Sequence, residues 1–289
     1  MQAGLVASGA VVVSLIAHGV VSRQDLASGK RALLAKESAV QATVGVEWLA
    51  LRARLEQDAV RAGGVYAGDH VEREAQTGAF RTQPGLYLRM RLVDARSPES
   101  LARAAASGQK DALAACLLRE PNDRGLRGEL DGGAFAEQPW NLGQAYWATR
   151  ILLPEWVSAV QGADDAVQLR VYTAQYDEAI RNEIPLAVEI IKRAKFFLLA
   201  LDEDAPGSVE VAQGGTTMEA SLQLVPHPTR VYVFDTSSGK ELLALRRSGE
   251  GRVVQVGERA VTDPETRDAM QRQANNCALG REIEAALHP

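Results

Sequence analysis

The sequence predicts an α+β protein: an N-terminal transmembrane helix and a helical stalk, followed by one mixed-sheet domain with a C-terminal β-meander and a closing helix. Three observations carry this reading. Residues 3–22 run for twenty positions without a charge. Residues 40–59 and 142–191 repeat apolar side chains every three or four positions, which is the period of a helix. Two runs of period-two alternation flank Asp235–Gly239, a turn-forming segment, and together they read as a hairpin.

The first segment, GLVASGAVVVSLIAHGVVSRQD, contains His18 as its only strongly polar side chain, and Arg23 and Asp25 end it. About 20 residues rising about 1.5 Å each match a hydrocarbon core of about 30 Å. A secretory leader opens with basic residues, and none precedes this run, although Val20-Val21-Ser22 offers small residues for cleavage. A buried helix of this length usually carries a polar face. The expectation is therefore a retained signal-anchor over 1–22, with a cleaved leader and a core helix as the alternatives. Arg23, Lys30, Arg31 and Lys36 follow the run, and by the positive-inside rule alone they would place the body in the cytoplasm. An acidic chain with two cysteines behind a single anchor favours export instead, so an extracytoplasmic, periplasmic body is expected.

At 289 residues the chain can hold one large domain or two small ones. Its 46% hydrophobic and 24% charged residues are those of a folded protein, and with aromatics at 5% the core must rest on aliphatic side chains. The net charge of −5 argues against nucleic acid as a partner, because a nucleic-acid binder needs a basic surface to displace counterions.

Behind the anchor, residues 23–64 read as a helical stalk. Val40, Val44, Trp48, Leu51 and Leu55, continued by Ala59, gather on one stripe, which is the candidate interaction surface, and Gly63-Gly64 stops the helix. The globular domain is expected over 65–289. It opens with an irregular connection to Pro84. GLYLRMRLVD then alternates as a half-buried strand, with Arg89 and Arg91 facing solvent. SPESLARAAASG is a helix capped by Ser97, and ALAACLLRE suits a buried strand, which completes a strand-helix-strand unit. Residues 121–141 form a long Gly- and Pro-rich loop. Two long helices follow, the second bent near Pro185. KFFLLALDED is a buried strand ending in acids, VEVAQGG a short edge strand, and RVVQV a third strand after the hairpin. The last helix starts at Asp263-Pro264.

No motif identifies a chemistry, so no cofactor or metal is assigned. The four histidines, His18, His70, His227 between two prolines and His288, show no ligand spacing. Cys116 and Cys277 have no partner at metal or redox spacing, but they could form a disulfide in an exported body. Ser237–Lys240 matches the spacing of an acylating serine, but it lies in a hairpin turn and not on a helix. Arg124 and Arg127 lie in the glycine-rich loop and could meet an anion. Asp202, Glu203 and Asp204 stand at a strand end, where carboxylates can act as acids or bases; a solvated acidic turn is the ordinary reading. The chain is therefore expected to be a membrane-anchored structural, assembly or accessory subunit of an envelope or membrane complex. It would act through protein–protein contacts and not as an enzyme, with other protein subunits as partners. The alternatives are a ligand-sensing domain with residues 121–141 covering a pocket, and a hydrolase using the acids near Asp202.

Overall fold

The computed structural model of the protein describes residues 24–107, 111–118, 140–205, 218–253 and 263–288. The expected anchor over residues 3–22 lies outside them, as do residues 121–139 of the long loop and the VEVAQGG edge strand. Among the described residues, no helix is long and apolar enough to cross a membrane. Contacts divide the chain into two units. One comprises the residues up to Trp48 with Ala148–Leu186, and the other Leu49–Trp147 with Ala187–Pro289.

The second unit is built on a mixed sheet of six strands: β1 (His70–Val71), β2 (Gly85–Arg91), β3 (Trp140–Asn141), β4 (Phe196–Asp202), β5 (Pro228–Asp235) and β6 (Glu241–Ser248), in the order β1-β6-β5-β4-β2-β3. β4 reads Phe-Phe-Leu-Leu-Ala-Leu without alternation, as expected of a strand covered on both faces, and each of its seven residues is buried. β2 lies parallel to β4 and β5 antiparallel to it; β5 and β6 form the expected hairpin. Its turn is held by Asp235, whose carboxylate accepts from the backbone N–H groups of Ser237 and Ser238, and by Gly239 at φ 69°.

One face of the sheet presents Tyr87, Leu198, Ala200, Val231, Val233, Leu243 and Leu245 to two helices, α6 (Ala112–Leu118) and α12 (Pro264–Leu287). The opposite face presents Leu86, Leu88, Phe197, Leu199, Tyr232 and Phe234, all buried. It meets residues 49–62 of helix α2 (Val46–Ala62), where Tyr232 donates to the carbonyl of Ala62, and helix α5 (Pro98–Ser107) packs on β2. This layering corrects the half-buried reading of β2. With helices on both faces, Arg89 is buried and not in solvent.

Other elements depart from expectation. ALAACLL is helix α6, not a strand, so the strand-helix-strand unit expected to end there is not formed by these residues. Its Ala and Leu residues are strong helix formers, and the Asp111 carboxylate accepts from the backbone N–H of Leu113 as a cap. The connection before Pro84 is not irregular. It holds β1 and the short helices α3 (Arg73–Gln76) and α4 (Ala79–Thr82). Arg252 and Val253, the described part of the expected third strand, are not in a strand. Ser97 and Asp263 cap their helices as expected, Ser97 accepting from the N–H of Ser100 and Asp263 from that of Thr266.

The first unit is helical. Residues 24–40 form helix α1, which passes through a π-helical segment, Gln41–Gly45, into α2. α7 (Leu142–Ala148), which belongs to the second unit up to Trp147, ends in a 3₁₀ turn, and α8 (Pro154–Gly162) starts a new helix with the proline at its first position. α9 (Ala166–Glu178) begins at Asp165, whose side chain accepts from Val167 and Gln168. A second π segment, Ala179–Glu183, leads into α10 (Ile184–Arg193). The wide turn falls where the Pro185 ring would crowd the carbonyl of Arg181, four residues back, so it relieves the clash that was expected to bend the helix. α1 packs along α9 at Gly29, where an added Cβ would lie 2.7 Å from Leu169 Cδ2.

Candidate functional site

The most concentrated polar chemistry in the described residues lies at the C-terminal ends of the parallel strands β2 and β4, beneath α12. Arg89 stands opposite Ala200 in the register, so Asp202, two residues further along β4, shares its face. The Arg89 guanidinium donates to both Asp202 oxygens, from Nε at 2.8 Å and Nη2 at 3.0 Å, in the two-point geometry that suits a carboxylate. Its Nη1 donates to Asn276 Oδ1 on α12 at 2.5 Å and lies 3.4 Å from Asp111. Tyr87, two residues before Arg89, donates its hydroxyl to Asp111 at 2.6 Å. From β5, the Thr229 hydroxyl donates to Asp202 at 2.8 Å. His227, just before β5, places Nε2 3.0 Å from the same carboxylate, and its Nδ1 is 2.8 Å from the carbonyl of Val225.

Burial alone would raise the Asp202 pKa, but the Arg89 charge and the contacts from His227 and Arg89 overcome it and hold the carboxyl well below the usual carboxylate range. Burial acts equally against the Arg89 cation, and Asp202 and Asp111 more than offset it, so the guanidinium stays charged. The Tyr87 phenol is pushed well up by burial and by the Asp111 carboxylate. Fixed charges that compensate one another hold three strands and a helix together here.

The neighbouring acids are similarly engaged. Glu203 receives Arg230 at 2.8 Å and Arg246 at 2.9 and 2.7 Å, and the Arg246 hydrogen bonds lower its pKa. Asp204 pairs with Arg91 at 2.9 Å. The acidic turn read from the sequence is therefore three different environments, and Asp202, at 2% exposed, is not solvated. Sequence reasoning also missed Arg89, Asp111, His227, Thr229 and Asn276 as parts of this cluster. The uninterrupted apolar run of β4 was the available signal, because it requires helices on both faces and so places a β2 arginine inside.

Ser237 and Lys240 do not form a catalytic pair. Ser237 Oγ donates to Asp235, and Lys240 Nζ lies 3.4 Å from both Glu72 and Glu74. His70 sits on β1 with Nε2 3.4 Å from Glu72. Arg124 and Arg127 lie outside the described residues, and among those described no group of three or more His, Cys, Asp or Glu could hold a metal ion. A surface hollow lined by Asp94, Ser100, Arg103, Ala104 and Glu219 lacks the apolar wall usual for small-molecule sites. Cys116 of α6 and Cys277 of α12 are joined as a disulfide, their Cα atoms 5.1 Å apart. In the stalk stripe, Trp48 and Leu55 are buried and Val40, Val44 and Leu51 half-buried within this one chain.

No protein-family model matches the chain, and neither does any curated protein or any solved structure.

Proposed function

We propose that the chain is a structural, assembly or accessory subunit of an envelope or membrane complex, anchored through residues 3–22 and working through protein–protein contacts, with its body on the extracytoplasmic side. The carrying observation is that Asp202, Glu203 and Asp204 are all bound to arginines. An acid-dependent hydrolase needs a carboxyl free to give or take a proton, and the strand end that would supply one is occupied by structural ion pairs. Two features support the rest of the reading. The Cys116–Cys277 link suits an oxidising compartment. Val46, at 68% exposed, and Leu186, at 56%, are large apolar side chains open to a partner's contact.

The test is to extract native membranes with salt, then alkali, then mild detergent, and to measure the native mass of the detergent-extracted chain. Resistance to salt and alkali is expected, with a detergent-extracted assembly well above the 31.1 kDa of one chain that dissociates in the V46D/L186D variant. Release by salt alone as a 31.1 kDa monomer would overturn the proposal.

A further inference from the structure

We propose that Glu37 is a proton-operated latch in the seam between α1 and α9: the seam is closed while its carboxyl is neutral and loosens when the carboxyl ionises. Both helices belong to the first unit, and the inference does not depend on the anchor. Leu33, Glu37, Val40 and Val44 follow one another at helical spacing on the covered side of α1, with Leu33 4% and Glu37 7% exposed. A glutamate thus stands where its neighbours in the stripe are apolar. Gly29 lets the two helices approach at Leu169. Glu37, two turns further along α1, acts on the phenol of Tyr176, two turns further along α9. The carboxyl therefore belongs to the seam itself.

What surrounds Glu37 makes its charge costly. Among the described residues it forms no ion pair and no hydrogen bond. From α9 it faces the Tyr176 phenol, which burial, Asp177 and Glu37 all hold in its neutral form; Asp177 is exposed and adds only negative charge. From α8, the Trp156 ring packs against Tyr172 and Tyr176, and the neighbouring Glu155 is exposed. On α1 the positions one turn away are Leu33, Leu34, Val40 and Gln41, none of them charged. Lys36 is exposed, and Lys30 is engaged at the carbonyl of Gln161, 2.8 Å away. The Gln41 amide lies over Gly45, one turn beyond Glu37. A buried charge must be paired or given up. With no cation at hand, Glu37 gives it up by taking a proton, and the fraction of its surface still open admits one.

The direction of the switch follows from this burial, which raises the Glu37 pKa above the ordinary carboxylate value. The folded chain takes up the proton at a higher pH than the unfolded chain does. The stabilisation by the neutral form is fully present below the unfolded value of about 4.3 and is lost as pH rises through the folded value. Acid therefore closes the seam and alkali opens it, the reverse of the effect at Asp202.

The experiment uses the full chain in mild detergent and compares wild type with E37Q and E37L by urea unfolding from pH 4 to pH 8. E37Q should match wild type at pH 4 and become the more stable protein as pH rises. Each unit by which the Glu37 pKa is raised should multiply its advantage in the unfolding equilibrium about tenfold. E37L, apolar like the rest of the stripe, should equal or exceed E37Q. Opening of the seam is read separately with trypsin at pH 8. Cleavage after Lys30, Arg31 and Lys36 should be several-fold faster in wild type than in E37Q, while cleavage after Arg267, exposed at the start of α12, should not differ. A gap between wild type and E37Q that is the same at every pH would overturn the proposal. So would an E37Q chain less stable than wild type at pH 8, because the carboxylate would then be holding the seam together. Equal cleavage on α1, with the stability gap as expected, would show a charge that costs stability without opening the seam, and would overturn the latch as well.

Discussion

Arg89 and Asp202 form a two-point ion pair between adjacent parallel strands, 113 positions apart in the chain, with side chains 4% and 2% exposed. Each is the other's main compensation for leaving water. The pair is consequently asymmetric under mutation. Removing Asp202 strands the Arg89 charge, whereas removing Arg89 deprives both Asp202 and the buried Asp111 of their cation.

D202N should therefore cost about 3–5 kcal/mol, the usual penalty for breaking a buried pair. The double variant R89L/D202L removes the stranded guanidinium but leaves the buried Asp111 carboxylate without Arg89, so it should recover only part of that loss. E203Q and D204N act on partly exposed pairs and should each cost no more than about 1 kcal/mol. Urea denaturation of the four variants checks this. A D202N cost as small as that of D204N would show that Asp202 is hydrated after all.

The same pair fixes a pH dependence. The folded pKa of Asp202 is depressed, so its stabilisation is fully present above the unfolded value of about 3.9 and is lost as pH falls through the folded value. The stability gap between wild type and D202N should stay constant from neutrality to about pH 5 and close steadily below about pH 4. Asp58 and Asp94, raised chiefly by burial, work in the opposite sense, but they are common to both proteins and cancel in the difference. A gap that widens on acidification would contradict the assignment.

Why this cluster was hidden in the sequence, while much of the fold was not, comes down to range. The hairpin around Asp235, the Asp263 cap and the apolar run of β4 are local signals, each complete within a few residues, and the structure keeps all three. The partners of Arg89 are on β4, on α12 and at the cap of α6, and nothing near Arg89 in the sequence points to them. Alternation in β2 reads naturally as one wet face; only the neighbouring strand shows that both faces are dry. ALAACLL fails for the opposite reason: seven apolar residues satisfy strand and helix equally, and the choice rests on Asp111 and on packing against α12.

Packing on α12 predicts a contrast among glycines. A Cβ on Gly251 would strike the backbone of Ala274, and one on Gly249 the backbone of Leu279, neither of which can move aside cheaply. G249A and G251A should each cost at least about 1–3 kcal/mol, the usual range for overpacking. Gly162, at the end of α8, has open space around its Cβ direction, so G162A should be neutral or stabilising by about 0.4–1 kcal/mol. Thermal unfolding of the three variants reads the difference directly, and equal effects would refute this account of the α12 contact.

The disulfide predicts the compartment as well as the stability. Cys116 and Cys277 are 161 residues apart, and their bond ties α12 to α6 beside Gly280, whose Cβ direction points to Leu117 N at 3.3 Å and Cys116 Cβ at 3.4 Å. The bond acts mainly on the unfolded chain by closing a long loop, so C116S/C277S should still fold but lose about 2–5 kcal/mol. Denaturant unfolding with and without a dithiol reductant should reproduce that loss in the wild type and show none in the variant. In protein isolated from its native source and alkylated after unfolding, mass analysis should find neither thiol modified. Two alkylated cysteines would place the body in a reducing compartment, where the bond does not persist, and would favour the cytoplasmic orientation that Arg23, Lys30, Arg31 and Lys36 suggest.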